Sequence, residues 1–123
     1  MRNIIIISKN DELQKQLTTM LARAGYSHVY PSYDCTKTLS LAYRLNPKLI
    51  IIDMELPNII LEDLLRLFSH PMKKIMLFIA PYSDIDANLL RLIKRGYSHF
   101  VVHPIAEQLL INQVKEIMNQ DNS

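Results

Sequence analysis

The side chains best placed to do chemistry stand directly after short apolar runs. Asp53, Met54 and Glu55 follow Leu49–Ile52, while Ser8, Lys9, Asn10 and Asp11 follow Ile4–Ile7. Ala80 and Pro81 follow a third such run, and His103 and Pro104 follow a fourth. These positions offer a carboxylate, an ammonium, a hydroxyl and an imidazole. Other chemistries find no support. His28, His70 and His99 are scattered, and no pair has metal-ligand spacing on a helix. The serines lack a nucleophile-elbow context. Cys35 is the single cysteine, which excludes a zinc ribbon or a disulfide framework within the chain. The two glycines, Gly25 and Gly96, both read as helix stops and leave none for a phosphate-cradling loop.

The elements that must position these residues follow from hydrophobic period. Runs rich in β-branched residues alternate with stretches of helical spacing. Strands are expected at Ile4–Ile7, His28–Tyr30, Leu49–Ile52, Ile75–Ile79 and Phe100–Val102, the second an edge strand ended by Pro31. The first helix carries Leu13, Leu17, Met20, Leu21 and Ala24 on one face, with Asn10 as N-cap and Gly25 as its left-handed stop. A second helix is expected from about Tyr33 to Leu45, and a third carries Leu61, Leu64, Leu65 and Phe68 and finishes before His70-Pro71. A fourth runs from Asp84 to Arg95, after a break at Pro81 and Ser83, with Leu89, Leu92 and Ile93 on one face. The last opens after Pro104 and draws its buried face from Ile105, Leu109, Leu110, Val114, Ile117 and Met118. Gly25-Tyr26-Ser27-His28 echoes Gly96-Tyr97-Ser98-His99, which we read as shared glycine C-cap chemistry and not a repeat.

Five strand–helix units build a parallel sheet covered on both faces, a three-layer α/β domain. Ligands of such sheets bind outside the carboxyl ends of the strands. Composition agrees: 123 residues with 49% hydrophobic and 21% charged side chains suit one domain with a real core. We expect that domain over 1–119, with 120–123 a tail or the start of a linker. No apolar run approaches the roughly 18 residues that span a bilayer, and Ser8 to Asp11 break the pattern of a signal peptide. A cytoplasmic location is therefore expected, and a net charge of +2 is too small to argue for direct nucleic-acid binding.

Two stretches resemble the CheY-like receiver domain of response regulators. Pro47-Lys48-Leu49-Ile50-Ile51-Ile52-Asp53-Met54-Glu55-Leu56-Pro57-Asn58 is similar to the strand that ends in the family's phosphoacceptor aspartate, with a proline four residues on. Arg95-Gly96-Tyr97-Ser98-His99-Phe100-Val101-Val102-His103-Pro104 is similar to the segment ending in a lysine and a proline, commonly joined by a cis bond. The resemblance covers nearly the whole chain. It implies a flavodoxin-like, doubly wound five-stranded sheet of order 2-1-3-4-5, and phosphoryl transfer from a histidine kinase to Asp53 with help from a divalent cation.

Most of the family's pocket is absent. Its acidic pair falls on Ser8 and Lys9, its threonine or serine on the Ala80-Pro81 segment, its lysine on His103 and its switch aromatic on Phe100. The charges of Lys9 and Asp53 cancel, whereas magnesium is held through carboxylates, phosphate and water. A unit charge at about 4 Å is worth about 4 kcal/mol at an effective dielectric of 20, so no useful magnesium affinity is expected. Lys9 is expected to take the cation's place and pair with Asp53, against the simpler alternative of a solvated loop lysine. Asp11 is more simply a first-turn helix acid than a ligand, and His103 a hydrogen-bonded rim residue.

Two surfaces are candidates for recognition. One is Ile59, Ile60 and Leu61 beside the pocket mouth, either exposed or folded inward. The other is the fourth helix with Arg91, Lys94 and Arg95, together with His99; the resemblance implies partner docking or homodimer formation through the fourth helix, fifth strand and fifth helix. The leading reading is a degenerate receiver acting by contact with a protein partner or output domain, without catalysis, cofactor or membrane. The alternative is a receiver still phosphorylated on Asp53 with magnesium. A flavodoxin-like cofactor-binding enzyme is the remote third.

Overall fold

The computed structural model describes residues 2–70, 72–81 and 87–120. Strands β1 (Ile4–Ile7), β2 (Val29–Ser32), β3 (Leu49–Asp53), β4 (Ile75–Ala80) and β5 (Phe100–Val102) alternate with helices α1 (Asp11–Arg23), α2 (Cys35–Leu45), α3 (Asn58–Ser69), α4 (Ala87–Lys94) and α5 (Glu107–Met118). All four strand pairs are parallel and the order is β2-β1-β3-β4-β5, as the resemblance implied.

Alternation along the strands divides the core in two. Ile4 and Ile6 of β1 pack with Leu49 and Ile51 of β3 under α1 and α5. Ile5 and Ile7 pack with Ile50 and Ile52 against α2, α3 and α4. Side chains of period two, buried on both faces, explain why these runs are continuously apolar. Each fully buried isoleucine contributes about 1.5–3 kcal/mol relative to exposure.

Both glycine stops close Schellman motifs. Gly25 has φ +94 and Gly96 φ +97. The Gly25 and Tyr26 N–H groups donate to Ala22 and Leu21, and the Gly96 and Tyr97 N–H groups donate to Ile93 and Leu92. The sequence echo is therefore one cap used twice. At the other end of α1, the Asn10 side chain accepts the Leu13 N–H at 3.2 Å, as its N-cap role requires.

The structure moves several boundaries. Pro31 does not end β2, which runs on to Ser32 with Pro31 opposite Ile6. The carbonyls of His28 and Ser32 face β1, so the intervening Pro31 sets its missing donor on the free edge, where a strand tolerates it. Helix α2 starts at Cys35 and not Tyr33, because the Asp34 side chain caps the Lys37 N–H at 2.7 Å. Strands β3 and β4 each gain a residue, so Asp53 is a strand residue paired with Ile79. The expected start of α4 at Asp84, with Ser83 before it, lies outside the described residues. On the described part of that helix Ile93 is exposed. On α5, Leu109 is exposed and Ile111 is buried in its stead.

Candidate functional site

The expected strand ends converge. Asn10, Asp53, Glu55, Ile79, Ala80, Pro81 and His103 line one cavity of about 40 Å³ at the carboxyl edge of the sheet. Burial leaves Asp53 only 5% exposed, and a buried carboxylate must have its oxygens satisfied. The hydroxyl of Ser8, fully buried at the end of β1, donates to Asp53 Oδ2 at 2.7 Å. The Glu55 N–H donates to Asp53 Oδ1 at 2.9 Å. Ser8 Oγ in turn accepts the Asn10 N–H at 3.0 Å. Uncharged donors thus hold both carboxylate oxygens.

Lys9 does not behave as expected. It is exposed and makes no ion pair with Asp53. It stands on the rim of an open cleft that Asp53, Glu55, Leu56 and Pro57 also line. The physical reason is that Asp53 already has its hydrogen bonds, and burying an ammonium to reach it costs several kcal/mol in desolvation, on the order of the gain. The charge of Lys9 is felt instead at Cys35, whose thiol is pushed up by burial first and by Asp63 and Asp34 next, with Lys9 opposing them.

Glu55, placed by the sequence with Asp53 after the third strand, lines the same cavity. One residue of the site was missed in the sequence. Gln14, buried on α1, donates through Nε2 to the carbonyls of Ile6, Ser8 and Ser32 at 2.9, 3.2 and 3.3 Å. Its helical spacing from Leu17 and Leu21 put it on the core face, but polarity alone could not show what it would bond.

The donors do not fit a magnesium ion. A hard cation of this size needs several oxygens with lone pairs free to face it. Among the described residues Asp53 is the one buried acid, each of its oxygens already accepts a hydrogen bond, and Ser8 presents its proton to that acid. Among the described residues, no three His, Cys, Asp or Glu side chains are placed to hold a metal ion.

On the β4–β5 side the edge turns apolar. Ala80 is buried and carries no hydroxyl. Phe100 stacks on Phe78 with centroids 5.5 Å apart, and Tyr97 meets Phe78 edge-on at 5.3 Å. Pro81 is half-buried. His103 is exposed, its N–H donates to the Ala80 carbonyl at 2.9 Å, and its bond to Pro104 is cis.

Of the first recognition patch only Ile59 is offered to solvent, at 75% exposure; Ile60 is half-buried and Leu61 fully buried on α3. Of the second, Arg91 and Arg95 both reach Glu62 of α3, at 3.3 and 3.1 Å, while Lys94 is exposed and His99 half-buried. The sequence reading missed exposed apolar side chains on the same elements: Leu90 and Ile93 of α4, Val102 of β5 and Leu109 of α5. Among the described residues, no helix is long and apolar enough to cross a membrane.

No family model matches the chain. It is similar to the circadian input-output histidine kinase CikA of Synechocystis sp., 23% identical over 118 residues, which is 96% of this chain and 16% of that protein. The chain therefore spans about a sixth of that relative. Among solved structures, the signal receiver domain of the DNA binding response regulator protein merR from Colwellia psychrerythraea 34H superimposes with a TM-score of 0.82, at 20% identity over 98% of this chain and 100% of that one. The N-terminal signal receiver domain of a two-component system response regulator from Bacteroides fragilis gives 0.80, at 26% identity over 98% and 99%. The fold is that of a response-regulator receiver domain.

Proposed function

We propose that this receiver-fold domain is a module of two-component-type signalling that works by protein–protein contact, with the cation and phosphorylation switch lost. The observation that carries the reading is the neutral occupation of Asp53: Ser8 Oγ on one oxygen and the Glu55 N–H on the other. Phosphoryl transfer depends on positive charge and fixed donors around the migrating group. Here Ala80 supplies no hydroxyl, His103 stands in for an ammonium, and Ser8 and Lys9 stand in for two acids.

Receiver domains work with kinases or output domains, and a protein of that kind is the partner we assign. The docking surface is the face of α4, β5 and α5, where Leu90, Ile93, Val102 and Leu109 lie exposed beside Lys94. That surface suits a second copy of the chain as well as an output domain. One observation favours a second reading, in which Asp53 still accepts phosphate: a second acidic residue, Glu55, lines the same cavity.

Titration with magnesium and beryllofluoride, followed by amide NMR, separates the two. The wild-type protein is expected to show no response that Asp53→Asn abolishes, and the Ser8→Asp/Lys9→Asp double variant to gain one. An Asp53-dependent response in the wild type, or a phosphoryl mass gain on Asp53 with a small phosphodonor, overturns the leading reading in favour of the second.

A further inference from the structure

Six polar or charged side chains are buried among the described residues: Asn3, Ser8, Gln14, Ser32, Thr38 and Asp53. All but Asn3 belong to one hydrogen-bonded chain. It starts at Asp53, where Ser8 Oγ donates at 2.7 Å. The Ser8 N–H donates to the Ser32 carbonyl at 3.1 Å, and Gln14 Nε2 bridges the Ser8 and Ser32 carbonyls from α1. Ser32 Oγ and Thr38 Oγ1 are 2.7 Å apart, and Thr38 Oγ1 donates to the Asp34 carbonyl, also at 2.7 Å. Asp34 is the N-cap of α2. The chain thus runs from β3 across β1 to β2 and into the first turn of α2.

In the opposite direction the strands are joined through backbone groups, Met54 N–H to the Ile79 carbonyl at 3.0 Å and His103 N–H to the Ala80 carbonyl at 2.9 Å, and among the described residues no buried polar side chain takes part. Next to Asp53 on the other side stand Ile79 and Ala80 of β4, and beyond them Phe78 and Phe100 meet through ring faces. Apolar contacts of this kind have no fixed polarity to reverse. Buried hydrogen bonds do, because each donor or acceptor that loses its partner carries a desolvation cost until another is found. Gln14 sharpens the point. Its Oε1 is buried with no partner, so the amide is held through its donors alone, on carbonyls of two strands.

We propose that the Asp53 site is coupled to the β2–α2 edge of the sheet and not to β4–β5, with Ser8, Gln14, Ser32 and Thr38 as positioning residues. A change at Asp53 alters what Ser8 donates to, and Ser8 is tied to Ser32 directly and through Gln14. Coupling is reciprocal, so a change at Thr38 must also reach Asp53. The inference rests on the reading above only in taking Asp53 to work without a cation.

The test is amide NMR in metal-free buffer. Asp53→Asn is expected to shift the amides of Ser8, Ser32 and Thr38 and the Gln14 side-chain amide, while Phe100 and Val102 stay in place. In a Ser8→Ala background the response at Thr38 should disappear. Run in reverse, Thr38→Val should shift Ser8 and Asp53, and Thr38→Ser, which keeps the hydroxyl, should not. Unfolding constants of Ser8→Ala, Thr38→Val and the double variant should depart from additivity by about fivefold, in the range of contacting networks. Shifts that travel to Phe100 and Val102, a Thr38 response that survives Ser8→Ala, or strict additivity each overturn the coupling. Magnesium binding by the wild-type protein, measured separately, bears on the preceding reading and leaves these outcomes as they stand.

Discussion

The carboxyl edge of this sheet is built in two ways. On the β2–β1–β3 side, Thr38, Ser32, Ser8 and Asp53 are buried and joined by hydrogen bonds. On the β4–β5 side, Ala80, Phe78 and Phe100 fill the corresponding space with carbon. One half is held by directional bonds whose partners cannot be exchanged, the other by contact that tolerates rotation and repacking. A single sheet can therefore keep one side of its carboxyl edge specific while the other supplies only bulk.

The contrast is broken most sharply on the apolar side. Phe78→Ala removes a fully buried ring that Tyr97 and Phe100 both touch, and it is expected to cost about 3–5 kcal/mol in urea unfolding. Thr38→Val on the polar side leaves nearly the same volume but removes the 2.7 Å partner of the Ser32 hydroxyl, leaving it only the Asp34 carbonyl at 3.4 Å, at about 1–3 kcal/mol. Equal losses at the two sites would remove the distinction.

A smaller, matched effect sharpens it. Gly25→Ala and Gly96→Ala close equivalent caps on α1 and α4, and a Cβ at either meets nothing within 4 Å. Only the positive φ is penalised, so each should cost about 1–2 kcal/mol and the two should agree. Unequal values would show that the halves differ in their caps as well as in their core.

The smallest effect is at the surface. Arg23 and Glu107 pair at 2.6 Å between α1 and α5, and the hydrogen bond from Arg23 holds the Glu107 carboxyl below its ordinary range. A lowered folded-state value means that the pair's stabilisation is present above the unfolded carboxylate range and is lost as pH falls through the folded value. Glu107→Gln should therefore separate slightly from wild type in thermal melts near neutral pH at low salt, and merge with it in acid or at high salt. A gap that persists in acid would point to packing instead of charge.

Much of this was written into the sequence in local form. Short continuous apolar runs and helical stripes place the ten elements, because burial on both faces of a parallel sheet leaves strands no other composition. Asn10 and the two glycines mark helix ends through chemistry confined to a few residues. Asp53, Ser8, Ala80 and His103 were legible as strand-end residues for the same reason. Which of them would bond was decided only in three dimensions. Ser8 and Asp53 are 45 residues apart and Gln14 reaches Ser32 across 18, distances over which spacing carries no signal. Lys9 had the charge to pair with Asp53 and Ser8 had the position; burial favours a donor that brings no charge to desolvate, and so the hydroxyl holds the carboxylate while the ammonium stays in water.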